Sequence, residues 1–188
     1  MKLHEHDKYN GSMRARKSYH FFDNVIVCLG SNIENINKNN DTETTIFQMA
    51  ATDDAAKSYW SNYKANDKTW IDNLGTGYYT PEKVTFTGLV NQTSRTEDTD
   101  EPTQGQWASL YINHGKAPQG ASYEYAVLPQ TTTEKLASFA TSPTYRVIEK
   151  DRNAHIVQSI PTQTYSYVIF ETPEKNFVEG PLQKSDTT

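Results

Sequence analysis

From Ala121 to Leu128 the chain alternates strictly. Tyr123, Tyr125 and Val127 point to one side of an extended backbone, and Glu124, Ala126 and Leu128 to the other. That period of two recurs along most of the sequence. In residues 13–22, Arg14, Arg16, Ser18 and His20 oppose Ala15, Lys17, Tyr19 and Phe21. In residues 42–49, Thr45, Phe47 and Met49 oppose Thr44, Ile46 and Gln48. Turn formers separate the alternating segments: Asn10-Gly11, Asp23-Asn24, and the Gly/Pro loop that opens at Gly115. Such a chain is constrained to antiparallel sheets.

Strands are expected at 2–8, 13–22, 25–30, 42–49, 69–73, 77–80, 84–91, 107–114, 121–128, 144–150, 154–160 and 164–171. Residues 31–41 and 93–106 read as polar loops. Residues 53–60 carry a weak helical pattern. The one clear helix signal is Thr131-Thr132-Thr133-Glu134, a capping-box pattern. Leu136, Phe139 and Ala140 follow at helical spacing and Ser142-Pro143 stops the run. The fold class is therefore all-β: a large antiparallel β-sandwich with one short helix near 132–140. It occupies one domain over 1–172, followed by a polar tail or linker over 173–188. The 188 residues suffice for a real core.

Composition narrows the function classes. Aromatic residues make up 12%, twelve of them Tyr, while mean hydropathy is -0.78. That describes an ordered, water-exposed β protein rather than a disordered one. The net charge of -5 comes with no basic block, which argues against nucleic acid. No run is long enough for a membrane helix. The lone Cys28 excludes an internal disulfide framework and sits in the apolar run 25–29, where it reads as a small buried hydrophobe. The first residues show no signal peptide. The sequence reads either as a cytoplasmic protein or as part of a longer secreted one, and the second is the expectation.

Several constellations invite a chemical reading. His4-Glu5-His6-Asp7 puts two imidazoles on one strand face but indicates no third metal ligand. Glu97, Asp98, Asp100 and Glu101 lack the spacing of a calcium loop. No metal or cofactor is therefore expected. His114 ends a strand without a partner carboxylate, which favours a structural hydrogen bond. Trp60, Trp70, Trp107, Tyr78 and Tyr79 serve either as packing or as platforms for sugar rings. Asn10-Gly11-Ser12 and Asn91-Gln92-Thr93 fit the glycosylation acceptor pattern, a short match that arises often by chance. Arg14, Arg16 and His20 are the candidate substrate-binding residues, because guanidinium groups grip sulfate and carboxylate in pairs. The competing reading makes that side of the strand a solvated outer face.

Four segments in the right order carry a family resemblance. They are the run from Lys17-Ser18 through Phe21-Phe22-Asp23 to Leu29-Gly30-Ser31-Asn32-Ile33; Thr42 to Gln48; Trp70-Ile71-Asp72-Asn73 with Gly77-Tyr78-Tyr79; and 107–129 with His114-Gly115, Pro118, Tyr123, Tyr125 and Leu128-Pro129. Together they resemble the family 8 polysaccharide lyases, whose substrates are chondroitin, dermatan and hyaluronan. The resemblance implies a super-sandwich similar to galactose mutarotase folds. It implies a secreted or periplasmic parent enzyme with an N-terminal helical toroid and a further β domain, and a glycosaminoglycan polysaccharide as partner. It further implies β-elimination, with the catalytic His, Tyr and Arg on the toroid and a Glu on an earlier strand. No segment matches those motifs, so no catalytic residue is transferred. Two other readings stand beside it: a self-contained carbohydrate-binding module, and a structural sandwich with no ligand. An aldose epimerase would need a His and Glu facing one cleft, and the sequence shows no such spacing.

Overall fold

The computed structural model describes residues 1–6, 8, 11–64, 68–171, 175–177, 179–182 and 184–185. Its elements in order are β1 (Lys2–His4), β2 (Arg14–Phe22), β3 (Val25–Glu34), β4 (Asp41–Ala50), α1 (Asp54–Ser61), β5 (Thr69–Ile71), β6 (Gly77–Tyr79), β7 (Thr85–Arg95) and β8 (Pro102–Lys116). There follow β9 (Ala121–Leu128), α2 (Thr133–Thr141), β10 (Tyr145–Lys150), β11 (Ala154–Ser159), β12 (Thr164–Ile169), β13 (Lys175–Asn176) and β14 (Lys184–Ser185). The all-β expectation holds, and every strand pairing among the described residues is antiparallel.

Three layers stack. The middle layer is a six-stranded sheet in the order β1-β2-β3-β9-β6-β5. One of its faces, with Val27, Leu29, Ala126 and Leu128, packs on α2 and the β10-β11-β12 sheet through Leu136, Phe139, Tyr145 and Val157. The opposite face, with Cys28, Tyr78, Tyr123 and Tyr125, packs on α1 and the β4-β8-β7 sheet through Trp60, Phe47, Leu110 and Ile112. This explains why residues 25–29 are continuously apolar. β3 is covered on both faces, so neither side of the strand needs polar groups. Burying these apolar side chains at roughly 25 cal/mol per Å² supplies the main drive for stacking the layers.

Close approach within the middle layer depends on Gly30. It lies opposite Tyr123 across β3 and β9. A Cβ there would overlap the Tyr123 ring, which is 1% exposed.

Several regions differ from the sequence-based expectation. The weak pattern at 53–60 is a full helix: Asp53 caps it by accepting from the Ala56 amide at 2.8 Å, and Ala56 and Trp60 are buried beneath it. The cap of α2 is Thr132, one residue later than the box pattern placed it. Most of the loop expected at 93–106 is strand, because β7 and β8 pair out to Arg95 opposite Pro102. Beyond Thr172, where a polar tail or linker is expected, β13 pairs with β14, and Phe177 is buried against Ile156 and Tyr167. Asp7 and Asn10 lie outside the described residues, and so do the full His4–Asp7 constellation, the Asn10-Gly11 turn and the first glycosylation pattern.

Candidate functional site

Arg14, Arg16 and His20 lie along one side of β2 but in three different environments. Arg14 is exposed, opposite His4 on β1 and Glu34 on β3. The Arg16 side chain is only 15% exposed and reaches Glu171 at 2.8 Å, a carboxylate shared with Lys2 at 2.9 Å. Hydrogen bonds from Lys2 and Arg16 hold the Glu171 carboxyl below its ordinary range. His20 is 1% exposed. This side of β2 is therefore not a solvated face beyond Arg14, because the third sheet covers it.

Under that cover runs a chain of polar contacts linking the two sheets. The Ser31 hydroxyl donates to the Asp151 carbonyl at 2.6 Å. Having spent its proton, Ser31 must accept from His155 Nε2, at 2.8 Å. A neutral His155 then accepts at Nδ1 from the Ser18 hydroxyl, at 2.7 Å. Ser18 accepts in turn from His20 Nε2 at 2.9 Å, and His20 Nδ1 accepts from Ser166 at 2.8 Å. One hydroxyl proton thus fixes both tautomers along the chain. Burial lowers both imidazoles from the ordinary 6.5 to about 4, and for His155 the neighbouring His20 adds to the effect. Neutral, enclosed and fully bonded, these histidines clamp sheets together and reach no solvent.

The other candidate residues resolve similarly. His114 Nε2 lies 2.9 Å from Thr44 Oγ1, and burial, with Lys17 nearby, lowers its pKa. Asp72 is 4% exposed. It accepts from the Leu74 and Thr76 amides, each at 2.9 Å, and from the Tyr78 hydroxyl at 3.0 Å, so it builds the β5–β6 turn. Arg95 pairs with Asp100 at 3.1 Å within the acidic 96–101 turn. Among the described residues no group of three or more His, Cys, Asp or Glu is placed to hold a metal ion. Trp60 and Trp70 are each 2% exposed and belong to the core, whereas Trp107 is partly exposed.

Trp107 borders a recess of about 550 Å³ on the outer side of the β4-β8-β7 sheet. Gln48 on β4 and Gln92 on β7 meet there at 2.7 Å, bridging across the intervening β8. Sequence reading did not find this pair. Nothing local to Gln48 or Gln92 signals that they meet, and their proximity depends on the long β7–β8 pairing.

The super-sandwich domain model of polysaccharide lyase family 8 matches residues 1–140. The chain belongs to polysaccharide lyase family 8. It is 55% identical over 188 residues to the chondroitin sulfate ABC exolyase of Bacteroides thetaiotaomicron, covering 100% of this chain and 18% of that protein. To the chondroitin sulfate ABC exolyase of Proteus vulgaris it is 35% identical over 199 residues, covering 99% of this chain and 19% of the relative. The sandwich fold also superimposes on solved structures. A Paenibacillus xanthan lyase gives a TM-score of 0.71 at 19% identity, over 93% of this chain and 19% of that one. The Streptomyces coelicolor A3 chondroitin AC lyase, in complex with chondroitin sulphate, gives 0.69 at 23% identity, over 85% and 22%. The family 8 chain thus spans about a fifth of the length of these relatives. No helix among its described residues is long and apolar enough to cross a membrane.

Proposed function

We propose that this chain is the sandwich portion of a secreted or periplasmic glycosaminoglycan lyase that cleaves chondroitin or dermatan sulfate by β-elimination. In that role it supports a catalytic helical toroid and helps to line the substrate cleft. The observation that carries the reading is the 55% identity to a chondroitin sulfate ABC exolyase along the whole chain, over only 18% of that enzyme. β-Elimination needs a base for the uronate C5 proton, a group that neutralises the uronate carboxylate, and a proton donor for the leaving C4 oxygen. Here His20 and His155 are enclosed and neutral, and His114 is engaged with Thr44. The chain alone is therefore inactive, and the chemistry belongs to parts of the enzyme that this chain would hold in place. Among the three basic candidates on β2, contact with sulfate or carboxylate falls to the exposed Arg14. Arg16 stands behind it on Glu171, and His20 braces the sheet below.

A chimera tests this reading. The corresponding segment of the Bacteroides thetaiotaomicron exolyase is replaced by this chain, and release of unsaturated uronates from chondroitin sulfate is followed by absorbance. Retained turnover is the expected result. A soluble, folded chimera without turnover would overturn the supporting role. Product formation by this chain on its own would overturn the claim that it lacks the chemistry.

A further inference from the structure

The recess beside Trp107 has a chemistry that the proposed lyase role leaves unused. Its lining includes Gln48, Gln92, Ser94, Thr103, Gln104 and Trp107, and no charged side chain contributes to it. The site is built from three strands. Trp107 on β8 stands between Ala50 on β4 and Val90 on β7. Its indole lies over Gly105, where an added Cβ would come 3.0 Å from Nε1. The missing side chain at Gly105 lets the ring settle along the strand. The Gln48–Gln92 bond consumes one amino hydrogen and one carbonyl. Either orientation of the two amides leaves one carbonyl and one amino group available, an acceptor and a donor side by side.

An aromatic ring beside paired amides and hydroxyls, without charge, suits one ligand class. The apolar C–H face of a pyranose stacks on an indole, and its hydroxyl or N-acetyl groups both donate and accept. A sulfate or uronate would find no cation in this lining. We propose that the recess binds an uncharged N-acetylhexosamine unit of a sugar chain, with Trp107 as platform and the Gln48–Gln92 pair as hydrogen-bonding edge. The site goes beyond the lyase reading, since it demands neither β-elimination nor a toroid.

The probes are free N-acetylgalactosamine and tetra-N-acetylchitotetraose, titrated into the whole chain while tryptophan fluorescence is recorded. Trp60 and Trp70 are each 2% exposed, so a ligand-dependent shift reports on Trp107. A saturable shift is expected with at least one probe, at a Kd on the order of 1 mM. It should persist at about 0.5 M salt, because no charge pairing contributes. Trp107→Ala should abolish it. In case that variant does not fold, Gln48→Ala combined with Gln92→Ala keeps the indole and should weaken binding about tenfold. No shift with either probe, a shift erased by salt, or full binding in the double glutamine variant would each overturn the site.

Discussion

Ser18 Oγ lies 2.7 Å from Nδ1 of His155, joining strands of two different sheets from positions 137 apart in the chain. Because Ser18 also accepts from His20, protonating His155 at Nδ1 forces a second donor into a contact that already has one. That contact favours a neutral His155, and burial disfavours charge on His20 as well.

A pH dependence follows, with a definite sign. In the unfolded chain both histidines take up protons near 6.5, while in the fold they do so only near 4. Lowered folded values mean that the stabilisation is complete above about pH 6.5 and is lost as pH falls towards 4. Each ring contributes at most about 3 kcal/mol, and the coupled pair less than twice that. Urea denaturation should show a clear loss between about pH 7 and about pH 4.5. In a His20→Gln, His155→Gln variant that slope should flatten. An unchanged slope would remove the histidines as its cause.

Gly30→Ala should destabilise the domain by about 1–3 kcal/mol, because its Cβ overlaps the Tyr123 ring in a core that has no room to shift. Tyr123→Leu in the same chain should recover part of the loss. A double-mutant cycle in denaturant measures that coupling. Strictly additive costs would contradict the close approach.

Arg14 and Arg16 should separate cleanly. Arg14→Ala is expected to leave stability within about 0.5 kcal/mol, since its side chain is exposed. Arg16→Ala should cost about 1–2 kcal/mol through lost packing and the lost bond to Glu171. A chemical-shift titration with a chondroitin oligosaccharide at low ionic strength should weaken with Arg14→Ala. Equal binding by wild type and variant would discharge Arg14 from ligand contact.

Asp72→Ala should cost about 3 kcal/mol, the sum of three hydrogen bonds at about 1 kcal/mol each. Asp72→Asn should cost less. Its carbonyl still accepts from the Leu74 and Thr76 amides, and the Tyr78 hydroxyl turns to accept from the new amide. Thermal melting of both variants checks the order, and an Asn variant as unstable as the Ala variant would contradict it.

Legibility in the sequence followed the physical source of each signal. Tyr123, Tyr125, Ala126 and Leu128 could be assigned to opposite faces because burial on each face leaves a period of two. Residues 25–29 read as a buried strand because they lack polar positions, and the structure covers that strand on both faces. The β7–β8 extension was hidden because Thr, Gln and Ser fill it, so exposure on its outer side erased the apolar rhythm. Helix α1 was faint because only Ala56 and Trp60 are buried along it. His20 looked like a surface residue beside Arg14. What covers it is a sheet contributed by the last third of the chain, and no local pattern reports a layer that arrives from so far away.

Cys28 sits in the middle layer, 3% exposed, and burial raises its thiol to about 11. A thiol that is both shielded and protonated is inert to alkylating and disulfide reagents while the layers stay closed. As the chain's single cysteine, it makes the protein its own clock. Each labelling event requires an opening of the stack, and in concentrated reagent, where labelling outpaces reclosing, the rate counts how often this sandwich comes apart.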